Sequence, residues 1–327
     1  MTEIRAQRDR SGARLASEVD HPTGRRRSDR VVGASAATQE AVELAMAAAA
    51  SELPVRLSGP PGSGKEHIAR AIHAWSARAS GPIVVMPCAA LNEPLAAREL
   101  FGCAAGFTSA LPEAYEGALS RAEGGTLLID HIERVPSALR ERLAIALAEG
   151  RYPREGSSTP LPVRARVMVS SLEPIEPSPF GELPHHSIVL RPLSERPDDV
   201  LPLAAHFLRL YAEEEGIEAV GFTSDARNAL VVEPWPGNVR ELAERVRQAL
   251  RLAGNGAISA EALLLATDAE EVPSFKEAKR AFETRYVVGL LRRCGGNISR
   301  AARLAKKDRK DFYDVIRRTG IDPSEFR

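Results

Sequence analysis

Five short apolar runs alternate with helical patterns between residues 31 and 191. The runs are residues 55–59, 83–88, 126–131, 166–170 and 187–191. They are apolar almost throughout, which is typical of strands that are buried on both faces of a parallel sheet. Segments between them, such as residues 66–77, place apolar side chains at helical spacing. The pattern predicts an α/β domain over residues 31–196, with a parallel sheet flanked by helices.

The pattern becomes purely helical after a turn-like segment at residues 195–199. Three amphipathic stretches follow, each bounded by Gly, Pro or a capping residue, at residues 200–216, 224–234 and 238–254. They predict a small all-helical lid over residues 197–268. Acidic, small and proline residues then predict a linker at residues 269–274. Residues 275–327 form the predicted terminal domain.

Charge is distributed unevenly along the chain. The whole protein has 44 Lys and Arg against 44 Asp and Glu, but residues 275–327 hold fifteen basic against seven acidic residues. A basic segment in a neutral chain is typical of binding to a polyanion. Residues 1–30 are rich in arginine and poor in apolar residues. They predict a disordered basic tail, with nucleic-acid contact as the alternative.

Composition also limits where the protein works. No apolar run approaches the roughly 20 residues that cross a bilayer, and no secretory signal begins the chain. The three cysteines, Cys88, Cys103 and Cys294, form no CxxC pair, which favours inert thiols in a reducing compartment. We therefore expect a cytoplasmic protein without membrane contact. We recognise no receiver or other sensory domain ahead of the α/β domain, so the regulating signal is not visible.

The segment GPPGSGKE at residues 59–66 follows a strand and opens a helix, as a phosphate-binding loop does. Gly62 and Gly64 allow a tight turn whose N–H groups surround a phosphate. Lys65 supplies a charge to the outer phosphates. Glu66 stands where a Ser or Thr magnesium ligand is usual. The pattern predicts a nucleotide site, with a purely structural turn as the alternative.

Asp130 ends a buried strand, where a carboxylate can hold the hydrated magnesium of a nucleotide. The next position in active enzymes of this type is a carboxylate that polarises the attacking water, and here it is His131. We therefore expect weak or absent hydrolysis. Strand alternation does not aim Glu133 at the same point. His185 and His186 lack a third ligand, so we expect no metal other than nucleotide-bound magnesium.

The basic terminal domain has the pattern of a helix-turn-helix. Asn297 is the predicted N-cap of a first helix whose inward residues are Ile298, Ala301, Ala302 and Leu304. Lys307 and Asp308 make the predicted turn. A second helix follows, with Phe312, Val315 and Ile316 facing the core.

The second helix of such a unit enters the major groove with its N-terminal part. The candidates for base contacts are Arg309, Lys310 and Asp311. The candidates for phosphate contacts are Arg300, Arg303, Lys306, Arg317 and Arg318. A solvated basic hairpin is the alternative. In the preceding helix one stripe holds Phe282, Tyr286, Val287, Leu290 and Leu291. This stripe either dimerises the domain or packs within it.

Longer motifs follow one another along the chain. Gly33 and Ser35 lead, GPPGSGKE comes next, and the very specific string WPGNVREL lies at residues 235–242. Further motifs lie at residues 88–102, 123–136 and 190–208. In this order they resemble the sigma-54 interaction domain of bacterial enhancer-binding proteins, a branch of the AAA+ ATPases. The resemblance runs from about Val32 to the C-terminus, where such proteins commonly carry a Fis-type helix-turn-helix.

The resemblance implies ATP or ADP with Mg²⁺ as the ligand and a phosphate-sensing role for Arg240, which is otherwise a surface arginine. The expected nucleotide-binding residues are Gly59, Gly62, Ser63, Gly64, Lys65, Glu66, Asp130 and Arg240. The resemblance also implies a loop that contacts the sigma factor, represented by residues 106–110 with Phe107 and Thr108 as the contacting pair. That loop is one residue shorter than in the family.

Two further family features are missing from the sequence. The strand expected to end in a sensing asparagine is VMVSSLEP, and the arginine-finger segment is FGELPHH at residues 180–186. We therefore expect a transcription regulator in the bacterial cytoplasm and nucleoid that binds double-stranded DNA as a dimer or ring. It binds ATP with weak or absent hydrolysis. The alternatives are a fully active ATP-driven activator of sigma-54 RNA polymerase and a non-enzymatic DNA-bound scaffold or repressor.

Overall fold

A computed structural model describes residues 30–88, 93–107, 113–266 and 275–326. The chain divides into two compact units, of which the first ends at Ala266 and the second begins at Thr267. The predicted tail, apart from Arg30, and the predicted linker lie outside the described residues.

Twelve helices are described in these ranges. They are α1 (Ala36–Ala49), α2 (Lys65–Trp75), α3 (Glu93–Phe101), α4 (Ala118–Arg121), α5 (Ser137–Glu149), α6 (Val200–Glu215), α7 (Ser224–Val232), α8 (Asn238–Ala253), α9 (Ala260–Leu265), α10 (Phe275–Cys294), α11 (Ile298–Leu304) and α12 (Arg309–Thr319). Within the described part of the chain, none is long and apolar enough to cross a membrane.

Seven strands accompany the helices. They are β1 (Val55–Ser58), β2 (Ile83–Pro87), β3 (Thr126–Asp130), β4 (Arg151–Pro153), β5 (Pro160–Pro162), β6 (Arg166–Ser171) and β7 (His186–Val189). Five of them form a parallel sheet in the order β2-β3-β6-β1-β7. The predicted α/β class, with a parallel sheet flanked by helices, is confirmed.

The central strands are covered on both faces, which explains their continuous apolar runs. Leu127 and Ile129 of β3 pack with Leu143 of α5 on one face. Leu128, between them, packs with Ile72 of α2 on the other face. Alternate side chains of a strand point to opposite faces, so both must be apolar here. The parallel register also brings the carboxyl ends of β1, β3, β6 and β7 to one edge, where sheets of this kind bind ligands.

A two-stranded hairpin of β4 and β5 was not predicted from the sequence. Its strands have three residues each, and prolines occupy three of the six positions. Proline cannot donate to a sheet ladder and indicates an edge or a loop. The buried Tyr152 attaches the hairpin to the domain, because its hydroxyl lies 2.7 Å from that of Ser120.

The lid helices α6 to α9 pack around a buried indole. Trp235 is 2% exposed, and its Nε1 donates to the carbonyl of Leu230 at 2.9 Å. The guanidinium of Arg245 lies over the ring, 5.0 Å from its centroid. On the lid surface, Glu215 of α6 accepts from Arg247 and Arg251 of α8. Hydrogen bonds from Arg251 and then from Arg247 lower the pKa of Glu215 to about 2.

The second unit has a core of its own, formed by α10, α11 and α12. The predicted core side chains Phe312, Val315 and Ile316 are all buried there. The predicted cap is confirmed, because the Asn297 side chain accepts from the N–H of Arg300 at 3.0 Å. These features give α11 and α12 the predicted helix-turn-helix order.

One predicted core residue of α11 is wrong. Leu304 is 49% exposed, whereas Ala305 packs against the core formed with Ala301 and Ala302. Residues at i, i+3, i+4 and i+7 share a helix face, so Ile298, Ala301, Ala302 and Ala305 point inward and Leu304 does not. The turn is correspondingly longer than predicted and spans residues 305–308.

The apolar stripe of α10 packs into the core of the second unit. Val287 and Leu291 are buried in the core with α11 and α12, and Leu290 packs against it. Tyr286 is 44% exposed, and the side chain of Phe282 lies outside the described residues. Of the two alternatives for this stripe, packing within the domain is the one observed for its buried members.

Candidate functional site

The loop between β1 and α2 has the backbone geometry of a phosphate cradle. Gly62 has φ 71° and Gly64 has φ 105°, values that side chains disfavour. A Cβ on Gly62 would lie 2.2 Å from the carbonyl oxygen of Gly237, so only glycine fits. Gly64 caps α2 without a side-chain hydrogen bond. The first N–H groups of a helix have no intrahelical partner and favour an anion.

Lys65 is held inside this loop. It is 7% exposed, and its Nζ donates to the carbonyls of Gly59 at 2.7 Å and Pro60 at 3.0 Å. Burial lowers the pKa of Lys65, the carboxylates of Asp130 and Glu133 oppose that effect, and Arg240 adds to it. An ammonium has three donors, so one remains for a ligand.

Asp130 at the end of β3 is tied to the end of β6. The hydroxyl of Ser170 donates to Asp130 Oδ1 and lies 3.3 Å from the backbone N–H of His131. Ser170 thus stands beside the Asp130 carboxylate in the strand where the family resemblance led us to expect an asparagine. Its hydroxyl is a shorter group that fixes the aspartate.

His131 and Glu133 form a hydrogen-bonded pair at the same edge. His131 has φ 61°, and residues 132–134 make a single 3₁₀ turn. The turn brings Glu133 Oε1 to 2.8 Å from His131 Nδ1, while Glu133 Oε2 is buried without a hydrogen-bond partner among the described residues. Glu133 therefore contacts His131 but is not among the residues that line the cavity described below, and the expectation that it is not aimed at the same point stays a prediction.

The lid begins at the phosphate loop. Asn238 donates to the carbonyl of Pro61 at 2.9 Å and accepts from the N–H of Leu193 at 2.7 Å. The N–H of Val239 donates to the carbonyl of Gly62 at 3.0 Å. The string WPGNVREL therefore places the start of α8, and with it the exposed Arg240, beside the loop.

A cavity of about 350 Å³ lies between the loop, the lid and residues 30–32, which precede α1. The predicted residues that line it are Gly62, Ser63, Gly64, Lys65, Glu66, Asp130, His131 and Arg240. Gly59 instead lines a larger open groove on the other side of the loop. The carboxylate of Glu66 pairs with Arg70 at 2.6 Å, which directs it along the helix surface. Arg30, Val31, Val32, His206 and Phe207 also line the cavity.

Next to the loop lies a buried network that the sequence did not reveal, and three of its members, Thr38, Ser63 and Arg196, also line the cavity. It consists of Ser35, Thr38, Ser63, Arg196 and Asp199, and we call it the Arg196 hub. Asp199 is fully buried, and its salt-bridge partner Arg196 is 7% exposed. The motifs containing all of these residues except Thr38 were recognised, but contacts between residues more than 130 positions apart are not visible in local patterns.

Two further groups near the site, Cys88 and His185, have surroundings that the structure describes. Burial, with Asp130 and Glu133, raises the pKa of Cys88 to about 12. His185 Nδ1 lies 3.0 Å from the carbonyl of Leu183, and its ring packs 5.3 Å from that of Phe180. No group of three or more His, Cys, Asp or Glu suited to a metal occurs among the residues that the structure describes.

The segment that resembles the sigma-contacting loop is described only as far as Phe107. This side chain is 46% exposed and lies against the turn between β4 and β5, where a Cβ on Gly156 would be 2.4 Å from its ring. Thr108, Ser109 and Ala110 lie outside the described residues.

In the second unit the predicted DNA-contacting side chains are all exposed. They are Arg300, Arg303, Lys306, Arg309, Lys310, Asp311, Arg317 and Arg318. Lys306 has φ 51° and lies in the turn between α11 and α12. Two exposed residues of α12 were not among the candidates, Tyr313 at 55% and Asp314. The helix therefore presents a face of mixed charge with one aromatic ring.

Two family models cover most of the first unit. The sigma-54 interaction domain matches residues 31–178, and the AAA+ ATPase lid domain matches residues 194–280. The transcriptional regulatory protein GlrR of Escherichia coli K12 is 34% identical over 298 residues, which are 88% of this chain and 67% of that protein. This chain belongs to the sigma-54-dependent transcriptional regulators.

Other members of the family have a similar sequence identity to this chain. ZraR of Klebsiella oxytoca is 34% identical over 303 residues, covering 88% of this chain and 68% of that protein. The sigma54-dependent transcriptional activator SfnR of Pseudomonas putida is 37% identical over 227 residues, 66% of this chain and 62% of that protein.

Solved structures of similar proteins include NtrX from Brucella abortus. Its complex with ADP has a TM-score of 0.65 and 26% identity, over 90% of this chain and 70% of that one. Its complex with ATP has a TM-score of 0.62 and 27% identity, over 89% and 69%. The AAA+ fold that the sequence predicted is thus confirmed for the first unit of this sigma-54-dependent regulator.

Proposed function

We propose that this regulator binds duplex DNA through α12 and binds ATP or ADP with Mg²⁺ in the cavity beside the phosphate loop. The observation that carries the proposal is the exposed face of α12, which has four basic and two acidic side chains and is packed on a core of Phe312, Val315 and Ile316. A helix packed in this way is rigid, so its outward side chains keep a fixed spacing for reading a groove. Family membership supports the same role.

The DNA contacts divide by position along the unit. Arg309, Lys310 and Asp311 begin α12 and are our candidates for contacts with base edges. Our candidates for phosphate contacts are Arg300, Arg303, Lys306, Arg317 and Arg318. Phosphate contacts position the protein, whereas base contacts choose the sequence.

The nucleotide proposal rests on how the loop residues fit a phosphate group. The glycine-rich turn, the uncapped N-terminus of α2 and the remaining donor of Lys65 all favour an anion. Ser63 Oγ is buried and has no hydrogen-bond partner among the described residues. Asp130 supplies a carboxylate for Mg²⁺, which lowers the charge of the outer phosphates when bound. NtrX, a similar protein, has been crystallised with ADP and with ATP.

We further propose that hydrolysis is weak. Ser170 stands in the strand where an asparagine was expected, and His131 replaces the expected carboxylate. The segment 180–186 has no arginine, although arginines that act across a subunit boundary raise rates by about 10³–10⁵ in other phosphoryl-transfer systems. In this proposal the bound nucleotide chiefly holds a conformation.

A second candidate function is an ATP-driven activator of sigma-54 RNA polymerase, working as a homo-oligomer. The observation that favours it is Glu133, whose carboxylate lies beside His131 and acts electrostatically on Lys65. Glu133 can then serve as the carboxylate that His131 does not provide. Phe107 and Thr108 are the proposed contacts with the sigma factor. A DNA-bound scaffold or repressor without turnover is the remaining alternative.

The proposal is tested with the full chain in two titrations. Labelled duplex DNA of random sequence is titrated at low salt, and ADP with Mg²⁺ is titrated by calorimetry. We expect both to bind, and Lys65→Ala to bind ADP more weakly while keeping DNA binding. A chain that binds neither duplex DNA nor ADP contradicts the proposal.

A further inference from the structure

We infer that Arg196 is a positioning residue that couples the phosphate loop to the leading segment, residues 33–38. The inference rests on the nucleotide site proposed above. Arg196 lies between the two elements and donates to both, to Thr38 on one side and to Ser63 on the other. The bound state of the loop and the seating of the leading segment therefore depend on each other.

The leading segment is anchored on the carboxylate of Asp199. Its Oδ1 accepts from the backbone N–H groups of Ala34 and Ser35, both at 2.7 Å. Its Oδ2 accepts from the hydroxyls of Ser35 at 2.9 Å and Thr38 at 2.6 Å. Charge-assisted bonds of this kind are the strong ones. Asp199 is fully buried, so loss of its partners would leave a charge without compensation.

Arg196 extends this anchor to the loop. Its Nη1 donates to Thr38 Oγ1 at 3.1 Å, and its Nη2 donates to the carbonyl of Ser63 at 2.7 Å. Burial lowers the pKa of Arg196 and the nearby Asp199 raises it. The guanidinium is planar with a fixed fork of donors, so the position of Thr38 and that of the Ser63 carbonyl are set together.

The grip on Ser63 orients a phosphate-facing donor. The carbonyl of Ser63 and the N–H of Gly64 belong to one peptide unit, and in a trans peptide they point in opposite directions. The bond from Arg196 fixes the direction of the Ser63 carbonyl, and with it the opposite direction of the Gly64 N–H. Gly64 has no side chain to restrict its backbone, which has φ 105°. The hydrogen bond from Arg196 to the Ser63 carbonyl supplies a restraint in its place.

The chain provides a matched control for this role. Arg166 is also buried, at 3% exposure, and its guanidinium also donates to backbone carbonyls, those of Ala48 at 2.6 Å and Leu53 at 3.0 Å. Burial lowers its pKa as it does for Arg196. Arg166 begins β6, at the opposite end of the sheet from the phosphate loop. A change there damages packing without reaching the loop.

The test uses the full chain, calorimetric titration with ADP and Mg²⁺, and hydrogen exchange at residues 34 and 35. We expect Arg196→Lys to weaken ADP binding about tenfold, within the roughly 5- to 150-fold range of coupling between sites. We also expect ADP to slow exchange at these two amides in the wild type and not in Arg196→Lys. Arg166→Lys should lower the melting temperature and leave both ADP responses intact.

A second pair of variants, at Thr38, keeps the test decisive if Arg196→Lys does not fold. Thr38→Val removes the shared hydroxyl and should weaken ADP binding, whereas Thr38→Ser should restore it. The inference is overturned if Arg196→Lys or Thr38→Val binds ADP as the Arg166→Lys control does. It also falls if the wild type binds no ADP. That last result overturns the nucleotide site itself, and is recognised because Lys65→Ala then matches the wild type.

Discussion

His131 Nδ1 lies 2.8 Å from Glu133 Oε1, in a one-turn 3₁₀ segment directly after the strand that ends at Asp130. The left-handed backbone of His131 makes this contact possible. Asp130 itself is held by Ser170. One edge of the sheet therefore carries a carboxylate suited to magnesium and, beside it, an imidazole joined to a second carboxylate.

Substitutions of His131 and Glu133 should change ATP turnover in opposite ways under the two candidate functions. If the missing carboxylate limits hydrolysis, ATP turnover by the wild type is slow and His131→Glu raises it on the order of 10²-fold, which is typical of a positioned acid or base. Glu133→Gln then leaves the slow rate unchanged. The turnover of the wild type and of the two variants is measured as steady-state phosphate release. Brisk turnover by the wild type that Glu133→Gln abolishes would identify the ATP-driven activator instead.

Lys65→Ala tests the loop as a phosphate site. The substitution removes the charged donor that Gly59 and Pro60 hold in place, and bonds of a charged group contribute about 1.5–3 kcal/mol. We expect ADP to bind about 10- to 100-fold more weakly in calorimetry. Lys307→Ala is the control, since Lys307 is an exposed lysine of the second unit. Equal affinities of Lys65→Ala and the wild type would exclude the loop.

A matched pair of variants on α12 tests which of two adjacent aromatic side chains holds the helix on its core. Phe312 is 1% exposed, whereas the adjacent Tyr313 is 55% exposed. Phe312→Ala should destabilise the second unit by about 3–5 kcal/mol, and Tyr313→Ala by no more than about 0.5 kcal/mol. Hydrogen exchange at the amides of residues 309–319 measures both. Equal acceleration of exchange in the two variants would mean that α12 is not seated on this core.

The lid carries an acid-sensitive contact. Arg251 and Arg247 lower the pKa of Glu215 from 4.5 to about 2. A carboxylate with a lowered folded pKa stabilises the fold above its unfolded pKa, and this stabilisation is lost as the pH falls toward the folded value. Urea unfolding should show the wild type more stable than Glu215→Gln at neutral pH, with the difference shrinking between pH 4.5 and about 2. A difference that does not change with pH would contradict the ion pair.

Much of the first unit could be predicted because its signals are local. Strand β3, which holds Leu127, Leu128 and Ile129, is a continuous apolar run, and the phosphate loop directly follows another such run, β1. On α12, helical spacing alone separated Phe312 from Lys310. These features depend on neighbours within a few residues.

Most of the features that sequence patterns missed depend on backbone reversals or distant partners. The position of Glu133 follows from the left-handed backbone of His131, which no side-chain pattern announces. Arg196 donates a hydrogen bond to Ser63, which lies 133 positions away in the chain. The hairpin of β4 and β5 is rich in proline, which favours a loop, and Leu304 differs from Ala305 only by one helical step.

The most direct test of the central claim is selection of DNA sites by the full chain from a random duplex library. We expect the wild type to enrich one common sequence. Lys310→Ala should relax the choice at one or two positions, whereas Arg317→Ala should keep the sequence, weaken binding to all duplexes and reduce the salt slope by about 1. Failure of the wild type to retain any duplex at low salt would contradict DNA binding through α12, and so would unchanged binding by both variants.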